Sequence, residues 1–370
     1  MAGITATREG RARRDHALLL DLLRGAPAPG GQDARWPSVI ALAARHGVAP
    51  LLHDTVPSLQ EALRRHRAAE LANAVRLRAA EDRALHLLRG LDPVLLKGAA
   101  YARVLYRSPE LRPRGDVDLL VGPAGEAARR LAAAGYRRHP GTCGGVQDDP
   151  DRHEQTLVDP ADPAVAIDLH RAFCQPERTR IDVAALIARS VALPDGARVL
   201  DADDAVLAHA LNLATHELRV PLIQLCDLQR LWRRCSAATV VERARQFRLE
   251  RALACSLSLL EATLGGARIT GPAWLRWMVG RYDPGRRPLG RLEQLARKAL
   301  LIDRPLDRVR FALAHAAALL RTAARSGPPP PLLAWRGGAD GAPRARGIGG
   351  LRGPPGADPD LRGPAPAPRV

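Results

Sequence analysis

Aromatic residues are scarce in this chain: Phe, Trp and Tyr together make up only 3% of its 370 residues. A base-stacking platform, in which aromatics interleave with basic residues, is therefore not signalled. The core must come mainly from Leu, Val and Ala, which a hydrophobic content of 46% permits. Cysteine is sparse as well. Cys143, Cys174, Cys226, Cys235 and Cys255 form no CxxC pair, so no zinc site is signalled. An odd, dispersed set in a chain of this length points to a reducing compartment. Long apolar runs are missing too. Nothing approaches the ~18–20 uncharged residues of a membrane span, and Leu18-Leu19-Leu20 is cut at once by Asp21. No signal peptide and no internal repeat is evident. The expectation is a soluble, cytoplasmic protein with no membrane partner.

Acidic residues are outnumbered, 39 against 56 Lys and Arg, for a formal net charge of +17. That balance suits an anionic partner, either nucleic acid or a polyanionic small molecule such as a nucleoside triphosphate. The basic residues are scattered rather than blocked, however, and no nucleic-acid reader motif accompanies them. Arginine on solvated helix faces of an Ala-, Arg-, Gly- and Pro-rich chain accounts for most of the excess.

The length allows two or three packed units. Residues 1–90 read as a helical region. Leu18, Leu19, Leu22 and Leu23 recur at helical spacing. A helix from Pro37 to His46 stops at Gly47, and Glu61 to Leu88 reads as one long amphipathic helix. From 91 to 175 the pattern becomes that of a small mixed α/β core. Pro93 to Leu96 is a short strand-like run. Asp116 to Val121 alternates polar and apolar at its start, and Val165 to His170 alternates at the strand period. Ala127 to Ala134 reads as a helix, and Tyr136 to Pro140 as the start of a strand. Residues 176–325 read as helical again, with apolar faces at Ala205–Glu217, Leu222–Trp232 and Leu306–Ala324. The tail, 326–370, is rich in Gly, Pro and Arg, buries little and is expected to be disordered. The fold class is thus α+β, a small mixed sheet flanked by helical regions.

The chemistry centres on Asp116-Val117-Asp118. Alternate strand residues share a face, so the two carboxylates project together and repel unless a cation lies between them. Magnesium or manganese suits such hard oxygen ligands. Asp168, on a second apolar strand, can supply a third carboxylate. Three such groups fit a two-metal site for displacement at phosphorus. Taken alone, a DxD also arises as two exposed aspartates at a strand edge. Upstream, Lys97-Gly98-Ala99-Ala100 follows a strand, where small residues and the amides of a helix start suit phosphate oxygens. Lys97 adds a point charge or is a strand-end surface lysine. Arg112 and Arg114 offer one phosphate clamp and one solvated side chain. Tyr101 and Tyr106 read as core aromatics. His170 shares the face of Asp168 and either orients a carboxylate or simply packs. His216 and Asp227, on helices, fit interhelical hydrogen bonds as well as catalysis. His153-Glu154, in a loop after the acidic turn of Asp148, Asp149 and Asp151, reads as a solvated loop in preference to a stray metal site.

These stretches together resemble the bacterial nucleotidyltransferase-like family, a divergent branch of the DNA polymerase beta-type nucleotidyltransferase superfamily. The resemblance runs through Leu95-Leu96-Lys97-Gly98-Ala99-Ala100-Tyr101, Leu105-Tyr106 and Arg112-Pro113-Arg114-Gly115-Asp116-Val117-Asp118-Leu119-Leu120-Val121. It continues through Leu131 with Gly135-Tyr136 and through Ile167-Asp168-Leu169-His170. Ile40 to Leu52 resembles the family's N-terminal helical signature; Leu207 to His216 and Leu225 to Leu228 resemble its C-terminal helices. The likeness spans roughly Trp36 to Arg234. It implies that Asp116, Asp118 and Asp168 are catalytic and hold magnesium or manganese, with Asp168 helping to deprotonate the acceptor. It implies that Lys97, Gly98, Ala99 and Arg114 meet the triphosphate of a nucleotide such as ATP. The implied reaction moves a nucleoside monophosphate to a hydroxyl or phosphate of a small molecule, peptide or saccharide. One departure stands out: where the superfamily has Gly-Ser or Gly-Gly, this chain has Gly98-Ala99. The missing serine motivates an alternative, a nucleotide-binding protein of the same fold without turnover. A basic nucleic-acid-binding protein is the remaining alternative.

Overall fold

The computed structural model describes residues 2–29, 35–139, 153–174, 178–280, 282 and 289–325. Cys143, the acidic turn Asp148–Asp151, Pro140 and the tail 326–370 lie outside the described residues. Four helices come first: α1 (Ala2–Leu23), α2 (Trp36–Arg45), α3 (Ala49–Thr55) and α4 (Gln60–Leu87). The sheet region follows, with β1 (Val94–Leu95), α5 (Lys97–Val104), β2 (Asp116–Leu120), α6 (Ala124–Ala133), β3 (Arg137–Arg138), β4 (Glu154–Val158) and β5 (Ala166–His170). Then come α7 (Val183–Arg189), β6 (Val191–Ala192) and β7 (Arg198–Val199). Seven helices complete the described chain. They are α8 (Ala202–Thr215), α9 (Leu222–Trp232), α10 (Ala237–Phe247), α11 (Glu250–Thr263), α12 (Ala273–Val279), α13 (Arg291–Leu300) and α14 (Pro305–Arg325).

The strands form one mixed seven-stranded sheet in the order β3-β4-β5-β2-β1-β7-β6. Its centre is the parallel pair β2 and β5, flanked by antiparallel β4 on one side and antiparallel β1 on the other. The alternation read from the sequence has a direct consequence here. Val117 and Leu119 lie beside Ile167 and Leu169, and all four are fully buried on one face. Each such side chain contributes roughly 1.5–3 kcal/mol by leaving water. The opposite face receives the polar partners of the same alternation. A one-residue slip of register would exchange the two sets, so burial of the apolar set fixes the position of the carboxylates.

Sequence and structure differ in two places. Glu154 is not in a loop: it opens β4, where it pairs across from His170. The alternation of Glu154–Val158 is masked because polar Gln155 sits on the buried apolar face. The sheet also runs beyond residue 175, through β6 and β7, each two residues long and too short to show a period. The helix stop expected at Gly47 is observed: α3 forms immediately after the turn there, where a φ of +66° suits glycine. The amide of Val48 closes that turn on the carbonyl of Ala43 at 2.9 Å.

The long helix α4 buries Leu63, Ala74, Leu77, Ala80 and Ala84 along one stripe and packs against α3 and β2. The same stripe carries Glu81, which is fully buried. A buried carboxylate needs compensating charge. Arg103 and Arg114 supply it, the latter at 2.8 Å.

Candidate active site

The register of β2 and β5 places Asp118 directly beside Asp168. Adjacent strands lie roughly 4.8 Å apart, so these carboxylates are neighbours. Asp116 stands two residues back on the same face. Antiparallel β4 adds Thr156 opposite Asp168 and Glu154 opposite His170. One face of the sheet therefore gathers Asp116, Asp118, Asp168, His170, Glu154 and Thr156.

Lys97 reaches this face from the first residue of α5. Its backbone has a φ of +45°, a left-handed value that costs a lysine on the order of 1 kcal/mol. That turn directs the ammonium to Asp118 Oδ1 at 2.7 Å. His170 Nε2 lies 2.9 Å from the same oxygen, and its Nδ1 is 3.6 Å from Glu154 Oε2. Lys97 is thus part of the acidic centre rather than a strand-end surface residue.

The carboxylates are unequal as a result. Burial alone would raise Asp118, but Lys97 and His170 outweigh it and hold the group well below the usual range. Asp116 is pushed up to about 7 by burial and by the charges of Asp118 and Asp168. Asp168 is also raised, by burial and Asp118, with the Thr156 hydroxyl partly offsetting them. One oxygen of Asp168, Oδ1, is buried without a hydrogen-bond partner. An unmatched buried oxygen of this kind costs free energy unless a ligand completes it.

The donor set, all carboxylate oxygen, fits a hard divalent cation. As the side chains stand, no three of His, Cys, Asp and Glu among the described residues converge on one ion position. The cation that Asp118 holds is the ammonium of Lys97. The unpartnered oxygen of Asp168 and the mutual repulsion that raises Asp116 both favour added positive charge.

The residues upstream have roles the sequence did not disclose. Gly98 is a close-packing position: a Cβ there would lie 3.0 Å from Arg114 Cβ and 3.1 Å from Arg112 Nη1. Ala99 is buried, and the amide of Ala100 is closed on the Leu96 carbonyl at 3.2 Å. The expectation that one of Arg112 and Arg114 is solvated is not met, because both side chains are buried. Arg112 grips Asp227 through Nε and Nη2, at 2.9 and 2.7 Å. Tyr106 donates to the other oxygen of Asp227 at 2.7 Å. Arg112 is therefore a fixed strut between the sheet region and α9, and Asp227 is its partner. Arg114 sits between Glu81 and the field of Asp116, and burial lowers its guanidinium to about 10. Tyr101 and Tyr106 are both buried, as expected of core aromatics.

The sequence picks out Glu154 and His216 without their place at the site, and Thr156 not at all. Thr156 and Glu154 face the site from β4. His216, just past α8, lies close enough to feel Lys97 and Lys298, and burial with those charges takes it down to about 4. The turn that carries it continues through two left-handed residues, Glu217 and Leu218. Lys298 on α13 anchors this turn through Glu217 at 3.1 Å.

No described helix is long and apolar enough to cross a membrane. No curated protein and no solved structure matches the chain. A family model described as an uncharacterised nucleotidyltransferase matches residues 32–265. That span contains the acidic face, Lys97, and the Arg112–Asp227 strut. With the model matching well over half of the chain, the protein belongs to this nucleotidyltransferase family.

Proposed function

We propose that the chain transfers a nucleoside monophosphate from a nucleoside triphosphate to an acceptor hydroxyl or phosphate, with release of pyrophosphate. The observation that carries this reading is the placement of Asp118 beside Asp168 in adjacent parallel strands, with Asp116 on the same face. Asp116, Asp118 and Asp168 would hold divalent magnesium or manganese. When bound, that cation neutralises phosphate charge and makes phosphorus more electrophilic.

The chain's own groups supply the rest. Asp168, whose proton affinity is raised, takes the proton of the acceptor hydroxyl. The acceptor oxygen then bonds to the α-phosphorus, and the bond to the bridging oxygen breaks, its electron pair leaving with pyrophosphate. Lys97 leaves Asp118 for the triphosphate and there offsets the leaving charge. His170 keeps its contact with Asp118 and so holds that carboxylate in place. The reading is tested by pyrophosphate release from magnesium nucleoside triphosphates across a panel of hydroxyl-bearing acceptors. Release lost in Asp116→Ala, Asp118→Ala and Asp168→Ala supports it; release retained in all three sinks it.

A second reading is nucleotide binding without turnover. It is favoured by Gly98-Ala99 in place of Gly-Ser and by the ammonium of Lys97 resting on Asp118. Binding of nucleotide with no pyrophosphate release for any acceptor would select it.

A further inference from the structure

We infer that an apolar cavity beside Lys97 holds the non-polar body of the acceptor, and that this acceptor is a hydroxyl-bearing molecule with an aliphatic portion of about ten carbons. The inference rests on the transferase reading above. The cavity has a volume of about 260 Å³ and lies between the end of β1, the β6–β7 hairpin, α5 and α8. Leu95, Val104, Phe173, Val199, Ala205 and Ala208 are among its walls. The room comes from small residues: Ala202, Ala205 and Ala208 recur at a spacing of three along the wall formed by α8. Half-exposed Val191, on β6, also lines it and marks the side open to solvent.

Three charged residues border this space, Lys97, Asp201 and Arg234. Two of them are held by groups outside the acidic face. Asp201 caps α8, accepting from the amide of Asp204 at 2.7 Å, and pairs with Arg243 at 3.0 Å. Arg234 donates to the carbonyl of Val104. Lys97 is different, because it borders the cavity and also touches Asp118 at 2.7 Å. The cavity is therefore apolar along its length, and Lys97 is the wall residue that also contacts Asp118. A ligand filling it buries a hydrocarbon body and presents its polar end at Lys97. Benzene fills a cavity of about 150 Å³, so this one takes roughly ten to twelve carbons. A nucleobase fits poorly, since its ring edges carry several donors and acceptors that need partners, and the apolar walls offer none. With the base excluded, the transferable phosphate approaches from the acidic face and the acceptor from the cavity.

The test uses the full chain, with 1-decanol as probe. Calorimetric titration should show saturable binding of decanol to wild type. Ala208→Leu, which fills the space from α8, should weaken that binding at least tenfold and leave magnesium nucleoside triphosphate binding unchanged. Unchanged nucleotide binding in Ala208→Leu guards against a folding artefact. Decanol should also raise pyrophosphate release at least tenfold in wild type and not in Ala208→Leu. Wild type that binds nucleotide but not decanol would overturn the inference and leave the transferase reading intact. Competition between adenosine and decanol would overturn it too, by placing the base in the cavity. Decanol bound without any nucleotide binding would overturn the acceptor role together with the transferase reading.

Discussion

Two clusters of buried charge meet at Gly98, and they are built on opposite principles. In one, Arg112 matches Asp227 through two nitrogens and Tyr106 satisfies the remaining oxygen. Every strong donor aimed at that carboxylate is used, and the cluster ties the sheet region to α9. In the other, Asp116, Asp118 and Asp168 share one ammonium and one imidazole, and a buried oxygen of Asp168 has no partner. The first is closed and holds structure. The second is not closed in this way: Asp116 is still pushed up by its neighbours' charges, and added positive charge or a proton relieves that repulsion. A buried ion pair is therefore informative about function only after its donors and acceptors have been counted.

Substitutions separate the two clusters. Asp118→Ala should abolish nucleotidyl transfer, a loss on the order of 10³-fold by analogy with removal of one preorganised stabilising group, with the fold retained in circular dichroism. Full activity in a folded variant would place the chemistry elsewhere. Asp227→Ala should instead cost stability, about 3–5 kcal/mol, because it strands the Arg112 guanidinium in the interior. Urea unfolding measures this, and an unchanged midpoint would show that the strut carries no load. The third effect is smaller and of opposite sign for two ligands. Lys97→Met removes the ammonium that now neutralises Asp118, so nucleotide-free protein should bind Mn²⁺ roughly tenfold more tightly. Nucleoside triphosphate affinity should fall in the same variant. Calorimetry with each ligand decides it, and equal weakening of both would mean that Lys97 only supports the fold.

The smallest effect is a pH dependence. The Asp116 carboxyl is raised to about 7 in the folded protein, against about 3.9 when unfolded. The folded state thus binds this proton more tightly. Its contribution to stability is fully present below about pH 4 and is lost as pH rises through about 7. Wild type should therefore lose melting temperature relative to Asp116→Asn across that window, and saturating magnesium should close the gap at pH 8. A gap that does not change with pH would remove the electrostatic strain assigned to Asp116.

Much of this contrast was legible in the sequence, and the remainder was not for definable reasons. The strands carrying Asp116, Asp118 and Asp168 show because their aspartates alternate with buried aliphatics, Val117 and Leu119 in one and Ile167 and Leu169 in the other. Helices such as α4 and α9 show because their apolar stripes are long enough to repeat. Strand β4 is hidden by Gln155 on the apolar face. The Arg112–Asp227 pair is hidden by sequence separation, since no local pattern links an arginine before β2 to an aspartate in α9. Lys97 could not be placed from its neighbours, because its contact with Asp118 depends on a left-handed backbone that a lysine seldom adopts. The cavity is likewise a product of assembly: alanines that look like plain helix formers become its walls only when α8 faces α5 and the end of β1 across it.

The central claim is that the carboxylates of β2 bind nucleotide through a divalent cation. Calorimetric titration of the four ribonucleoside triphosphates, with and without magnesium, on wild type and on the double variant Asp116→Ala/Asp118→Ala, tests it most directly. The expected result is magnesium-dependent binding of at least one triphosphate by wild type and none by the folded double variant. Equal binding by both proteins, or binding indifferent to magnesium, would contradict the claim.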